Sequence, residues 1–255
     1  MSLARSYNRL FKRSLLHYAA WSPLTDAYEV GDYGGFRRGV FQKLGNVREF
    51  GVDPKPRPSG ATVRFSFTST GAVVVRTAAG ATVDTFAADA TQAKLDLSFQ
   101  GNEGFFIRTK DLTVMEMPSV DAVARQLFRK RDDSGRKWRL GWRVVRKVYV
   151  ADDPAIFASS ERQASFSLTG NSALLQQLEL GNASADVAVS SSQASSLEII
   201  GGKGPIALDL FRVTTLGRAG LESFAPGDGA GDEGEPELDD DWDEDLEDDP
   251  DDLFA

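Results

Sequence analysis

Along the first eighteen residues apolar side chains recur every three or four positions, at Leu3, Tyr7, Leu10, Phe11, Leu15 and Tyr18. That period predicts an amphipathic helix over residues 3–18. Arg5, Arg9, Lys12 and Arg13 fill intervening positions, so the opposite side is strongly basic. Such a helix either packs its stripe on a sheet or lies in a membrane interface. His17, near its end, reads as a helix-terminal surface or packing residue. From Ser22-Pro23 to Gly51 the pattern dissolves into turn-rich sequence. Short strands are expected around Tyr28–Val30 and Val40–Leu44, with Gly34-Gly35 as a bend. Pro54, Pro56 and Pro58 then predict a stiff connector holding neither a helix nor a central strand.

From Thr62 the period changes to two. Val63, Phe65 and Phe67 alternate with Arg64, Ser66 and Thr68, and Val73–Arg76 follows a Ser69-Thr70-Gly71 turn, which predicts a hairpin. A second hairpin is expected from Leu95, Leu97 and Phe99, the turn Gly101-Asn102-Glu103-Gly104, and the returning Phe105–Thr109. Thr113–Met117 adds a further strand. Alternation of this kind implies antiparallel pairing with one face wet.

Ser119 precedes an apolar stripe at Val120, Val123, Ala124, Leu127 and Phe128, which predicts a capped helix ending near Arg131. After the turn Asp132-Asp133-Ser134-Gly135, residues 138–150 form the longest strand expected, with Trp142, Val144, Val148 and Val150 on one face. Arg146 interrupts that face, and an arginine there calls for a buried carboxylate partner or a sheet edge. Further strands are expected at Ala155–Ser159, Ala164–Leu168, Ala185–Ser190, Leu197–Ile200 and Ile206–Val213, and a short helix at Ser172–Leu180. The expected class is therefore α+β: a twisted, mainly antiparallel sheet with a few peripheral helices and a disordered acidic C-terminal tail. Residues 1–216 form the globular domain. Residues 217–255 form a Gly/Pro linker and the tail.

Charge changes this picture most. The whole chain carries 29 basic and 38 acidic residues, a net charge of −9. Sixteen of the acids lie between Asp228 and Asp252, and no Lys or Arg follows Arg218. Without that tail the body is basic. Its cations crowd into one stretch: Arg129, Lys130, Arg131, Arg136, Lys137, Arg139, Arg143, Arg146 and Lys147, with Trp138 and Trp142 among them. Cations interleaved with aromatics suit a polyanion, either lipid headgroups or nucleic acid. The tail is an internal competitor for the same surface. Asp239, Asp240, Asp241, Trp242, Asp243, Leu253 and Phe254 are its candidate inhibitory contacts.

Composition removes several kinds of chemistry. With no cysteine there is no disulfide framework, thiolate nucleophile or cysteine-ligated metal, and a single histidine leaves no multi-histidine metal site. Gly201-Gly202-Lys203-Gly204 reads as a glycine turn between strands, with a phosphate cradle as the alternative. Gly34-Gly35 lacks the Gly-Lys-Ser/Thr of a phosphate loop. No catalytic constellation or cofactor fingerprint emerges, so a non-enzyme is expected, with no cofactor and no metal. Neither a membrane-spanning apolar run nor a signal-peptide core is found, so a cytoplasmic protein is expected.

The order of elements resembles a known family. A basic N-terminal helix and amphipathic hairpins precede a helix at 119–131. Then come the strands Trp142-Arg143-Val144-Val145-Arg146-Lys147-Val148-Tyr149-Val150-Ala151 and Gly204-Pro205-Ile206-Ala207-Leu208-Asp209-Leu210-Phe211-Arg212-Val213. Over roughly residues 1–215 this layout is similar to the pore-forming domain of the gasdermins, particularly short bacterial and fungal members. The resemblance implies a soluble resting state and removal of a C-terminal segment by an activating protease. Homo-oligomerisation on anionic lipid at the inner face of a membrane, and insertion of hairpins as a barrel, would follow. The chain differs from those bacterial members in lacking an N-terminal cysteine and in carrying an acidic rather than apolar tail. Two alternatives stand beside it: a single-stranded nucleic-acid-binding protein whose tail competes for the groove, and a non-catalytic protein-interaction module.

Overall fold

The computed structural model describes residues 3–21, 27–37, 39–69, 72–78, 81–83, 93–100, 104–131, 137–159, 164–170, 188–191 and 196–221. The expected helix at 172–180, the turn at 132–135, Arg136 and the acidic tail lie outside these residues. In chain order the elements are α1 (Leu3–Leu15), β1 (Tyr18–Ala19), β2 (Asp32–Arg37), β3 (Val40–Asn46), a 3₁₀ turn (Val47–Phe50), β4 (Arg57–Pro58), β5 (Val63–Thr68) and β6 (Ala72–Ala78). There follow β7 (Ala81–Thr82), β8 (Ala93–Phe99), β9 (Gly104–Glu116), α2 (Val120–Arg129), β10 (Arg143–Asp152) and β11 (Ala155–Ser159). The last are β12 (Ser165–Gly170), β13 (Ala188–Ser191), β14 (Ser196–Ile200), β15 (Lys203–Val213) and β16 (Ala219–Leu221).

These strands make two open sheets, and the strand pairs described are antiparallel. The α+β expectation holds. The main sheet runs β1-β15-β10-β9-β11-β14, with β16 on β15, β2 beside β10, β3 beside β2, and β4 and β5 beside β9. A second sheet runs β13-β12-β8-β6-β7. β9 is the axis of the arrangement. Its first half lies between β5 and β11, and its second half lies between β4 and β10.

Both expected hairpins are therefore split between sheets. β5 pairs with β9 and β6 pairs with β8, while β8 takes β12 rather than β9 as its other neighbour. Alternation fixes which residues face inward but not which strand is the neighbour. The connector behaves as its prolines require, because β4 is only a short pairing on β9.

Gly34 and Gly35 belong to β2 rather than to a bend. The strand shifts register between Tyr33 and Gly34, and a Cβ on Gly34 would sit 1.8 Å from the Gln42 carbonyl oxygen across the hairpin. Only glycine permits that approach. Asp32, fully buried, anchors the same hairpin. Its carboxylate accepts from the Glu29 backbone N–H at 2.7 Å and from Asn46 Nδ2 at 2.8 Å, and pairs with Lys43 Nζ at 2.9 Å.

Three apolar clusters hold these layers. Tyr33, Phe50, Trp138, Val144, Val148, Leu208 and Phe211 form one with α2 residues Val123, Ala124 and Leu127. Leu95, Leu97, Phe99, Phe106, Phe157, Phe166 and Leu168 fill the space between the sheets. Tyr7 and Phe11 of α1 cover Phe105, Ile107, Ile156 and Ile206. Fully burying each such side chain contributes roughly 1.5–3 kcal/mol. α1 ends three residues earlier than its periodicity predicts. Leu16 takes φ +60° and bonds its N–H back to the Lys12 carbonyl, turning the chain into β1.

Candidate functional site

α1 is set on the sheet by its apolar stripe, with the Tyr7 and Phe11 rings 5.9 and 5.6 Å from that of Phe105. Burial pushes the Tyr7 phenol above its ordinary range, and its hydroxyl has no hydrogen-bond partner. Arg5 and Arg13 are exposed and Arg9 and Lys12 half-buried, with Lys12 Nζ 4.1 Å from the centre of the Tyr18 ring.

Where α1 meets the sheet, a polar network occupies the same face as Ala19 and Ala207. His17 precedes β1, whose Tyr18 and Ala19 pair with Leu208 and Ala207 of β15. This register brings the imidazole beside Asp209. His17 Nδ1 lies 2.6 Å from Asp209 Oδ1, while Asp209 Oδ2 accepts from Arg146 Nη2 at 3.1 Å and Tyr149 Oη at 3.3 Å. The His17 and Tyr149 rings stack obliquely at 4.3 Å. Burial, reinforced by the Asp209 charge, pushes the Tyr149 phenol above its ordinary range.

Arg146 reaches this network because β10 bulges there. The register with β15 passes from Val145↔Leu210 to Lys147↔Asp209, leaving Arg146 as the extra residue. A bulge of this kind re-aims a side chain. Of the two expectations for Arg146, the carboxylate partner is the one found. Lys147 lies nearby, with Nζ 3.9 Å from Glu116 Oε2. Glu116 also accepts from Ser59 Oγ at 2.8 Å and from Arg57, and these partners, the Ser59 hydroxyl foremost, hold its carboxyl below the usual range.

The basic segment is divided among several environments. Arg129 ends α2 and is exposed; Lys130 and Arg131 follow it half-buried, with the Arg131 guanidinium 4.8 Å from the Phe128 ring centre. Lys137 and Arg139 are exposed in the loop before β10, and Arg143 donates to the Gly141 carbonyl. The strand expected from Trp138 begins only at Arg143. Trp138, grouped by sequence with an anion-binding face, is 1 % exposed. It stands edge-on to Tyr33, Phe50 and Trp142 at 5.3–5.5 Å, and these contacts make it a core residue. Half-buried Trp142 keeps a cation–π contact with Arg139, 5.9 Å from guanidinium carbon to ring centre.

Ser119 stands at the N-cap of α2 without a side-chain capping bond. Asp121 in the first turn instead accepts the Ala219 backbone N–H at 3.0 Å, and a Cβ on Gly217 would lie 3.0 Å from Phe128. Sheet pairing continues past residue 216, with β16 on β15 against α2. The acidic tail starts a few residues beyond that point.

Sequence reading did not find the His17–Asp209–Tyr149–Arg146 network. Its one signal was Arg146 on an apolar strand; the rest depends on a pairing between residues some 190 positions apart. Among the described residues no group of three or more His, Asp or Glu could hold a metal, and no helix is long and apolar enough to cross a membrane. No protein-family model matches the chain, and no curated protein matches it in sequence.

Proposed function

We propose that this chain is a membrane-acting, pore-forming protein of the gasdermin type whose acidic tail restrains it until released. The observation that carries this reading is the origin of the second sheet. It is built from two excursions, each of which leaves the main sheet and returns to it. The first runs from β5 through β6, β7 and β8 to β9; the second runs from β11 through β12 and β13 to β14.

Along β8 and β12 buried residues alternate with more exposed ones, the polarity a barrel strand needs. A membrane-spanning strand takes about 9–11 residues. The excursions hold shorter strands of six or seven residues in β5, β6, β8 and β12, with further chain between them. Extending them while the main sheet stays folded would produce two amphipathic hairpins per molecule.

Opposite charge supports the restraint. Sixteen acidic residues lie between Asp228 and Asp252, after a body whose own balance is basic, and a tether raises their effective concentration beside it. Arg5 and Arg13 on α1 and Arg129, Lys137 and Arg139 are exposed, and a cation near an anionic surface contributes about 1 kcal/mol. Arg146 and Lys147 are engaged within the sheet.

The test compares the full chain with the same protein cleaved within 222–236 through an inserted protease site. Both are added to dye-loaded phosphatidylglycerol vesicles and to single-stranded DNA. Dye release after cleavage alone is expected. Salt-sensitive DNA binding without leakage would replace this reading with the nucleic-acid one, although burial of Trp138 removes one of the two rings on which stacking would depend. Inactivity in both assays would leave a protein-interaction module.

A further inference from the structure

Among the described residues, the two most exposed large apolar side chains belong to one hairpin: Leu216, 79 % exposed, and Leu221, 52 % exposed. Single apolar residues on a surface are ordinary, so what matters is how these two are held outward. Leu216 sits in the turn between β15 and β16, and several bonds close that turn. The Thr214 N–H donates to the Arg218 carbonyl and the Gly217 N–H to the Thr214 carbonyl, both at 2.9 Å. The Thr214 hydroxyl donates to the Arg218 carbonyl at 3.1 Å and accepts from the Arg218 N–H at 3.2 Å. Gly217 takes φ +69°, and a Cβ there would lie 3.0 Å from the Phe128 ring of α2. The turn is thus fastened on itself and on α2, and Leu216 stands out from a fixed base.

The charges around this base are mostly positive. Arg218 lies in the turn and is exposed. Arg212, also exposed, pairs with Gly220, and its side chain lies against that glycine, where a Cβ would be 3.1 Å from Arg212 Cγ. The Arg131 guanidinium stands 4.8 Å from the centre of the Phe128 ring, the ring against which Gly217 packs. Against these is the Asp121 carboxylate, which accepts the Ala219 N–H. An apolar tip flanked by guanidiniums matches a surface that is oily within and anionic at its rim. Arginine can keep its head among phosphates while an apolar neighbour enters the acyl layer.

We propose that the β15–β16 turn is an interfacial anchor for an anionic lipid surface. Leu216 enters the boundary between headgroups and acyl chains, and Arg212 and Arg218 hold the phosphates beside it. A second copy meeting this hairpin through the same face would set like charges together, which disfavours that occupant. This inference rests on the membrane reading above and gives it a contact point apart from α1.

The chain has no cysteine, so Leu216→Cys can carry a single polarity-sensitive fluorophore, with Leu44→Cys on β3 as the reference site. Each is made in the full chain and studied before and after cleavage within 222–236, with phosphatidylglycerol vesicles and sedimentation to score binding. On binding, emission from position 216 should rise and shift to the blue, and emission from position 44 should not. Leu216→Ser should weaken vesicle binding about tenfold. Arg212→Gln and Arg218→Gln should each weaken it about fivefold, all three variants melting as the parent does. Binding with no greater response at 216 than at 44, or binding unaltered by these substitutions, overturns the proposal and leaves the membrane reading intact. A blue shift without vesicles that grows with protein concentration would assign the turn to a second copy. One without vesicles that cleavage abolishes would assign it to the tail, and either result overturns the proposal. No binding to vesicles by any form overturns both.

Discussion

The main sheet around β10 and β15 and the second sheet are held together differently. The first is built from strands of ten to thirteen residues in β9, β10 and β15, with helices packed against it. α2 and the 3₁₀ turn add to one of its apolar clusters, and α1 lies over another. The second sheet has strands of two to seven residues and meets the rest chiefly through the inter-sheet cluster around Phe99, Phe106, Phe157 and Phe166. On its outer side Val73 and Val75 are each 37 % exposed. One region is fastened on several sides and the other through one apolar layer. A protein that must reshape part of itself while keeping the rest folded would be divided in this way.

The sharpest way to break this contrast is Phe166→Ala, which opens a cavity between the sheets at a cost of about 3–5 kcal/mol. Hydrogen exchange should then accelerate across 93–99 and 165–170 and stay slow across 143–152. Uniform acceleration would mean that the molecule opens as one unit. Trp138→Ala, of similar cost, should act in the opposite sense and unprotect 143–152.

Gly34→Ala should cost about 3 kcal/mol, because its Cβ meets the Gln42 carbonyl oxygen and the β2–β3 hairpin must part. Chemical denaturation would measure it, and a loss below 1 kcal/mol would show that the hairpin yields easily. Asp209→Asn leaves the Arg146 guanidinium without its counter-charge and should cost about 1–3 kcal/mol. Unlike Gly34→Ala, it should also loosen the contact between His17 and β15.

The smallest effect concerns Glu116, whose carboxyl is held low first by Ser59 and then by Arg57 and Lys147. A depressed carboxylate contributes stability above its unfolded value and loses it as pH falls through its folded value. Acid unfolding below the ordinary glutamate range should therefore be shallower in Glu116→Gln. An unchanged slope would remove Glu116 from the account.

Much of the strand framework could be read from the sequence: β5 and β8 lie where apolar and polar residues take turns, β3, β6, β11, β14 and β15 in short apolar-rich runs, and α1 and α2 where the period is three to four. Partnership could not be read. The pattern at Val63–Phe67 and Val73–Val75 is the same whether the two strands pair with each other or diverge into separate sheets. Gly34 looked like a break because glycine breaks strands in isolation, whereas here it serves a close backbone approach. Trp138 looked exposed because its neighbours in sequence are cations. Its neighbours in space are Tyr33 and Phe50, which no local pattern reveals. Of the candidate site, α1 and its arginines were visible, but the Asp209 network needed the three-dimensional register.

That register also sets a timetable. Tyr18 finds its partner in Leu208, so part of the seat of α1 is synthesised 190 residues after Tyr18 itself. Until then α1 has Phe105, Ile107 and Ile156 to cover but lacks Ile206 and Ala207, and part of its oily side waits for a companion or a chaperone. A chain broken off before Lys203 would keep part of that seat and lose the β1–β15 pairing, however well its middle had folded.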